Sequence, residues 1–331
     1  MIVVSMIVKD SLTRVGEEVF KKVLDSTLQI PYESFVLVSD GTDGTEGFVK
    51  GWCEGHGKEL VVARSNLYGH DRPTRATARQ TAVDLFLSNF SDEWLMFVDD
   101  DAVLNEGWWS WIAENRALED PQVGEVWGIN WDATPERKNF LALFGVKLED
   151  YLVRKFHERG GCHDTLYRRK AIEGIMIPPE LHVYEDAYLH HYVARRGWRS
   201  VINPVGVTHY HPVPTLTLRE EKEKAKLAIY VALKYGICEY EYMKPIRQTL
   251  RSRALAYLSL LRPVLGLAPM MLTTVKVFGP RKGIVEAFKR QYLKLWFRWQ
   301  VLKAVKGMRA GSMPEIPDLS HSCAHGRDVG G

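Results

Sequence analysis

The stretch Trp94–Asp101, WLMFVDDD in one-letter code, decides the expected fold. Its five apolar residues are too few for a helix and are typical of a buried strand. The three carboxylates that follow repel one another unless a cation or buried donors hold them, and a hard divalent cation with oxygen ligands is the simplest partner. An alternative stays open, in which the carboxylates form an acidic loop that caps the next predicted helix, Gly107–Arg116.

Strands and helices alternate in the residues before this stretch. Apolar, β-branched runs predict strands at Ile2–Val8, Ser34–Ser39 and Glu59–Ala63. Repeated βα units indicate a parallel sheet with right-handed crossovers, and such a sheet binds ligands beyond the carboxyl ends of its strands. Val8, Asp40 and the acidic triplet are expected at that edge. One helix is predicted to begin directly after Asp10, and two more are predicted over Glu46–Cys53 and Thr74–Leu87.

Three arginines accompany the predicted helix Thr74–Leu87. Arg72, Arg75 and Arg79 could pair with a diphosphate, because the guanidinium fork matches oxygen anions. A solvated basic face is an equally good explanation for any one of them. The sequence contains neither a P-loop nor a Gly-x-Gly-x-x-Gly fingerprint, so phosphates would have to be held by a metal and arginines.

Three later motifs are candidates for the same site. Gly160 and Gly161 precede a predicted strand and allow close backbone approach. Glu185 and Asp186 open a predicted helix, where they either complement the helix dipole or supply a general base. His209 and His211 alternate along a predicted strand and are either metal ligands or satisfied polar groups.

In this order the motifs resemble those of the family 2 glycosyltransferases of the GT-A fold, over about Val3–Pro214. The resemblance implies an α/β fold, with a Rossmann-like, mostly parallel sheet flanked by helices and followed by a membrane-associated helical region. Expected domains are 1–216 (catalytic), 217–310 (membrane-associated helical) and 311–331 (flexible tail). Asp40 stands where the family often has two acids, and Gln80 replaces a frequent Asn. The matching motifs are Val38–Gly41, Ala78–Gln80, Asp99–Asp101, Gly160-Gly161, Glu185-Asp186 and His209.

The resemblance also implies roles. Asp101 is the first choice as direct metal ligand, with Asp99, His209 and His211 as further candidates. The metal would be Mn²⁺ or Mg²⁺, and an imidazole ligand favours Mn²⁺. Asp186 would be the base that takes the acceptor proton and Glu185 would orient it, with inversion at the anomeric carbon. The residues expected to bind the nucleotide sugar are Val8, Asp40, Arg72, Arg75, Arg79, Asp99, Asp100 and Gly161.

The last third of the chain is basic and apolar. From Lys244 to Arg309 there are 15 Lys and Arg and a single acid, Glu286, which indicates an anionic partner surface. Ala254–Val275 is apolar but contains an arginine and two prolines, so a broken, re-entrant or interfacial element is expected rather than a simple span. Ile284–Lys306 reads as a basic amphipathic helix. We expect membrane lipids rather than nucleic acid as the partner; an ordinary helix packed on the catalytic domain is the alternative.

A family 2 domain followed by such helices resembles the dolichol-phosphate mannose synthases and reduced cellulose-synthase-like enzymes. The resemblance implies transfer of a hexose, mannose from GDP-mannose, to a dolichyl-phosphate or dolichol-linked acceptor at the cytoplasmic membrane face. One alternative is a UDP-sugar enzyme that extends a polysaccharide or lipid-linked glycan. Another is a catalytically inactive, membrane-tethered binding protein.

Overall fold

The computed structural model describes residues 1–130, 138, 141–142, 145–210, 217–237, 240–312 and 314. The chain divides into two compact units. The first comprises Met1–Asp132 and Arg159–Pro212, and the second comprises Ala133–Glu158 and Val213–Gly331. The domain boundaries expected from the sequence stay predictions.

A mixed eight-stranded sheet forms the centre of the first unit. Its order is β3-β2-β1-β4-β7-β6-β8-β5. The first four strands in this order are parallel to one another, β7 runs antiparallel to both its neighbours, and β5 runs antiparallel to β8. The strands are β1 (Ile2–Val8), β2 (Ser34–Ser39), β3 (Glu59–Ala63), β4 (Trp94–Val98), β5 (Ala102–Leu104), β6 (Val123–Asn130), β7 (Asp164–Arg168) and β8 (Arg199–His209).

The strand predictions for β1 to β4 are confirmed, with the same boundaries. Every residue of β4 is buried, because it lies between β1 and β7 and is covered on both faces. The predicted fold class is confirmed as well: the α/β sheet is flanked by helices and followed by a helical C-terminal region, as the resemblance to GT-A enzymes implied.

The helix predicted after Asp10 is wrong in one respect, since it is two helices. Gly16 interrupts it at φ 90°, a conformation that favours glycine. Asp10 makes no side-chain cap; its Oδ1 accepts a hydrogen bond from the Thr42 N–H at 2.7 Å instead. The described helices up to residue 195 include α1 (Ser11–Arg14), α2 (Glu17–Thr27), α3 (Thr45–Gly55), α4 (Arg75–Asn89), α5 (Trp108–Glu114), α6 (Leu148–Arg159), α7 (Arg169–Ile172) and α8 (Glu185–Arg195).

The acidic triplet follows a strand and does not cap a helix. The Ala102 N–H donates to the Asp99 carbonyl at 3.1 Å, and this turn leads directly into β5. Helix α5 begins only at Trp108, with Gly107 as its N-cap. The helix-cap alternative for the triplet is therefore wrong.

Six helices follow from Leu218 onward in the described part of the second unit. The apolar stretch Ala254–Val275 is broken, as predicted, and forms three short helices. Close packing joins the last two helices, since the Thr274 hydroxyl donates to the Gly283 carbonyl at 2.6 Å. The helices are α9 (Leu218–Tyr235), α10 (Tyr240–Arg251), α11 (Arg253–Ser259), α12 (Leu261–Leu265), α13 (Leu267–Phe278) and α14 (Pro280–Arg309).

Within the described residues, no helix taken singly has the length and apolar character needed to cross a bilayer. One pair, Tyr257–Leu265 with Leu267–Phe278, reaches that length and composition only together and is bent by 41°.

Arg168, at the end of β7, connects this strand to residues at or next to β4 and β6. These contacts lead to a stability prediction. Its guanidinium donates to the carbonyls of Val123, Leu118 and Asp120 at 2.7 to 2.9 Å and pairs with Glu93. Because Arg168→Met leaves three carbonyls without this donor, we expect the free energy of unfolding to fall by about 3 kcal/mol.

Urea denaturation followed by circular dichroism measures this change. Arg199→Met is the matched control, since Arg199 pairs with Asp120 at an exposed site and should contribute less than about 1 kcal/mol. Equal effects of the two substitutions would contradict the role of Arg168.

Candidate functional site

The carboxyl ends of β1 and β2 lie side by side at one edge of the sheet. The Asp40 N–H donates to the Val8 carbonyl at 3.0 Å. The Asp40 carboxylate accepts from the Ser65 N–H at 3.0 Å and from the Ser65 hydroxyl, so it also orders the loop after β3. Both residues lie where the sequence predicts nucleotide contacts, and Asp40 has a structural role there in addition.

Asp101 and His209 come together because β5 pairs with β8. Ala102, directly after Asp101, lies opposite His209 in the antiparallel ladder. Oδ1 of Asp101 and Nδ1 of His209 are 4.0 Å apart, and both side chains are mostly buried. These two groups offer an oxygen and a nitrogen ligand to a cation.

His163, which was not among the predicted site residues, joins Asp99 to His209. Its ring packs edge-on against that of His209, with 4.9 Å between the ring centroids, and its carbonyl accepts from the Asp99 N–H at 3.0 Å. Nδ1 of His163 is 2.7 Å from Oδ1 of Asp164. Burial lowers the pKa of His163, but Asp164, Asp99 and Asp186 outweigh it and raise this pKa above its usual value. The protonated imidazolium is therefore favoured among these acids.

The guanidinium of Arg79, on α4, is buried between two carboxylates. Its Nη2 donates to Oδ1 of Asp99 at 2.9 Å and its Nε donates to Oε1 of Glu185 at 3.3 Å. Burial raises the pKa of Asp99, but the charges of Arg79, His163 and Arg75 outweigh it and hold this pKa below its ordinary value.

Within the ion pairs of Arg79, Nη1 of Arg79 and Oε2 of Glu185 are buried and make no hydrogen bond in the described structure. Buried polar groups are almost always satisfied, and an exception calls for an explanation such as a ligand. A donor and an acceptor are thus available beside Asp99.

Glu185 and Asp186 begin α8, as predicted. Burial, and then the charge of Asp186, raises the pKa of Glu185, although Arg79 opposes this shift. Asp186 forms an ion pair with Arg159 and accepts from the Ala187 N–H at 2.7 Å. Arg159 also donates to the Val183 carbonyl at 2.9 Å, so the proposed base is held in one orientation by an arginine that the sequence analysis did not nominate.

Other predicted residues lie apart from these contacts. The Asp100 carboxylate accepts from Ser11 and Arg14 and so binds α1 to the end of β4. Arg72 lies in the exposed turn before α4, and Arg75 is exposed in the first turn of that helix. Arg75 still lowers the pKa of Glu185 through its charge.

Gly161 packs closely against Trp127, which explains why a residue without a side chain lies at this position. A Cβ at position 161 would be 2.7 Å from Nε1 of Trp127. The Gly161 carbonyl accepts from the Thr165 hydroxyl at 2.9 Å. His211, the fourth predicted metal ligand, lies outside the described residues.

One continuous network results, with the candidate cation ligands at one end and a carboxylate pair at the other. Each member contacts the next through a hydrogen bond, an ion pair, ring packing or the electrostatic interaction of adjacent charges. In order, the members are Asp101, His209, His163, Asp99, Arg79, Glu185, Asp186 and Arg159.

The donor set fits a divalent cation that is shared with a substrate. In the part of the chain that the structure describes, no three His, Cys, Asp or Glu side chains form a metal-binding group by themselves. Mg²⁺ is commonly held by one or two carboxylates together with substrate phosphates, and carboxylate ligands also suit Mn²⁺. Asp101 and His209 provide such a partial set.

No protein-family model and no curated protein matches the sequence. Among solved structures it is similar to a mannosyltransferase from Pyrobaculum calidifontis in complex with GDP-Man and Mn²⁺, with 19% identity over 95% of this chain and 76% of that one and a TM-score of 0.47. It is also similar to residues 1–349 of S. aureus TarS, with 15% identity over 94% and 92% of the two chains and a TM-score of 0.47.

A third similar structure is glucosyl-3-phosphoglycerate synthase from Mycobacterium tuberculosis with Mn²⁺, UDP and glucosyl-3-phosphoglycerate. The identity is 15% over 72% of this chain and 81% of that one, with a TM-score of 0.46. Similarities of this size do not establish an activity for this chain.

The buried Glu185 generates a pH prediction. The pKa of Glu185 is raised in the folded state, so at a pH above the ordinary value of 4.5 the unfolded chain ionises this carboxyl more readily than the folded chain does. The free energy of unfolding of the wild type therefore falls as pH rises above 4.5. Glu185→Gln removes this loss. The free energy of unfolding of the variant, relative to wild type, should therefore increase with pH from about 4.5 upward, by at most about 1.4 kcal/mol per pH unit.

Chemical denaturation at several pH values measures this difference. Glu114→Gln, at an exposed position on α5, is the control and should follow the wild type throughout. A difference that stays flat or decreases with pH for Glu185→Gln would refute the assigned direction.

Proposed function

We propose that the chain is an inverting, metal-dependent glycosyltransferase that uses a nucleotide-sugar donor. One observation carries the proposal: the carboxylates at the end of β4 share a single network with His209, with the buried Arg79 and with the Glu185–Asp186 pair. Cation ligands, an anion-binding guanidinium and a candidate base are the three groups that this reaction needs within one site.

The donor would bind along the carboxyl edge of the sheet. Asp101, Asp99 and His209, with His211 as a further candidate, would hold Mn²⁺ or Mg²⁺, and the imidazole favours Mn²⁺. When bound, the ion would neutralise the charge that develops on the departing diphosphate. Val8 and Asp40 would contact the nucleoside. Arg72, Arg75, Arg79, Asp99, Asp100 and Gly161 complete the proposed nucleotide-sugar contacts.

The acceptor would be activated at the start of α8. Asp186 would take its proton and Arg159 would keep the carboxylate oriented, while Glu185 fixes Arg79. An acceptor that is already ionised, such as a phosphate, would need no strong base at this position, whereas a sugar hydroxyl would.

For the finer assignment we propose a hexose, mannose from GDP-mannose, and a dolichyl-phosphate or dolichol-linked acceptor at the cytoplasmic face of a membrane. The family resemblance and the basic, apolar C-terminal helices support it. The alternative is a UDP-sugar enzyme that extends a polysaccharide or lipid-linked glycan, which the departures at Asp40 and Gln80 keep open. A catalytically inactive binding protein would have no need of the intact network.

Asp101→Asn tests the metal assignment. The change removes an anionic ligand at nearly constant volume, so we expect Mn²⁺-dependent affinity for GDP or UDP to fall at least about tenfold, roughly 1.4 kcal/mol. Binding in EDTA should not change. Isothermal titration calorimetry measures both, with Asp25→Asn on α2 as the control. Unaltered metal-dependent binding by the Asp101 variant would refute the assignment.

Asp186→Asn tests the proposed base. With a hydroxyl acceptor kcat should fall by about 10²–10⁴ while KM for the donor stays the same. With a phosphate acceptor the loss should be smaller, because that acceptor is already ionised. Product formation from GDP-mannose, UDP-glucose and UDP-galactose, with dolichyl phosphate or a sugar as acceptor, measures this and identifies the donor.

Asp84→Asn, at a carboxylate of α4 that binds Tyr68, is the matched control for this assay. An unchanged kcat for Asp186→Asn would remove Asp186 from the mechanism. No turnover by the wild type with any donor would instead favour the inactive binding protein.

A further inference from the structure

A cavity of about 260 Å³ lies among α12, α13 and α14 in the second unit. The Gln291 side chain lines it and donates to the Gly266 carbonyl at 3.1 Å. The nine residues that line the cavity are apolar, neutral polar or basic, and none of these nine is acidic. They include Arg262, Gly266, Thr273, Gln291, Lys294 and Arg298.

Two arginines and a lysine face this cavity. Nη1 of Arg298 is buried and makes no hydrogen bond within the described residues. Burial, and then the charge of Arg262, lowers the pKa of Arg298, so its positive charge is less well stabilised there than in water. An anion between the two guanidinium groups would reverse this repulsion and satisfy the buried donor, since arginine pairs strongly with phosphate oxygens.

The same helices expose large apolar side chains. On α12 and α13, Val264, Leu265 and Leu272 are 62%, 77% and 69% exposed. On α14 a second set recurs about once per helical turn, so that its members lie on one face. That set is Ile284, Phe288, Tyr292, Leu295 and Trp299.

This combination identifies the kind of partner. Exposed apolar surface marks a protein or membrane contact. The 15 basic residues against one acid in Lys244–Arg309 favour an anionic surface, and an apolar face beside a cationic cavity matches a molecule with acyl chains and a phosphate. A bilayer that contains anionic phospholipid meets both conditions, whereas a free phosphate would leave the apolar side chains in water.

We propose that the cavity among α12, α13 and α14 binds the phosphate of an anionic phospholipid, while the neighbouring apolar side chains enter the membrane interface. The site gives the membrane association proposed above a specific headgroup contact. It rests on that association and does not depend on glycosyl transfer.

Co-flotation of the full chain with vesicles tests the site. Vesicles of phosphatidylcholine alone are compared with vesicles that also contain phosphatidylglycerol. The variant R262Q/R298Q removes both cavity arginines. The control R247Q/K306Q removes the same charge from exposed positions on α10 and α14.

We expect wild type and control to bind the phosphatidylglycerol vesicles preferentially. R262Q/R298Q should lose at least about tenfold more affinity than the control, since each basic residue near an anionic surface contributes roughly fivefold. Thr273→Glu, which places an acid in the cavity and keeps both arginines, should lose the preference too. It provides an independent test if the double variant does not fold.

Three results would overturn the site. Equal binding by wild type, R262Q/R298Q and Thr273→Glu would remove the cavity from lipid recognition while leaving membrane association intact. Binding of inorganic phosphate without vesicle binding would make it a soluble-anion site. No vesicle binding of either composition would overturn both the site and the membrane association. Because none of these readouts is turnover, the transferase proposal is tested separately.

Discussion

The candidate site depends on one buried guanidinium. Arg79 holds the end of β4 and the beginning of α8 in contact, through Asp99 on one side and Glu185 on the other. A buried charge is strongly destabilising unless it is paired, and removing one partner of such a pair is costly. This requirement couples the positions of three elements that are far apart in the sequence.

The same pairing sets the protonation of the site. Asp99 stays ionised because Arg79, His163 and Arg75 outweigh its burial, whereas the more enclosed Glu185 resists ionisation. Two neighbouring carboxylates with pKa values moved in opposite directions can take different roles. Nη1 of Arg79 and Oε2 of Glu185 are buried and unsatisfied within the described structure, so the site presents both a donor and an acceptor to a ligand.

Much of the fold could be predicted from the sequence, because β1 to β4 are short, continuous apolar runs and a buried strand needs little else. The antiparallel direction of β7 could not be predicted, because the sequence DTLYR suits a parallel and an antiparallel strand equally well. The direction is set by the position of β7 between β4 and β6. The split between α1 and α2 follows from Gly16, a signal that was present but outweighed by the helical spacing around it.

For the site, strand ends and acidic motifs indicated Asp99, Asp101, Glu185 and Asp186, and the structure brings these together with His209 and Arg79. The motif reasoning missed His163 and Arg159. His163 was visible beside Gly161 but lacked a partner until β7 carried it to His209, and Arg159 contacts Asp186 across 27 residues, a distance that spacing does not reveal. The motifs also did not predict that Asp100 pairs with Arg14, because adjacent residues after a strand point in different directions.

We propose that a divalent ion and a nucleoside diphosphate share the site at the end of β4. Electron spin-echo spectroscopy of Mn²⁺ bound to the full chain with GDP or UDP detects both partners of the ion. We expect ³¹P coupling from the diphosphate together with ¹⁴N coupling from an imidazole, the latter lost in His209→Gln. Mn²⁺ that couples to the nucleotide but to no nitrogen, with no change on substitution of His209 or Asp101, would contradict it.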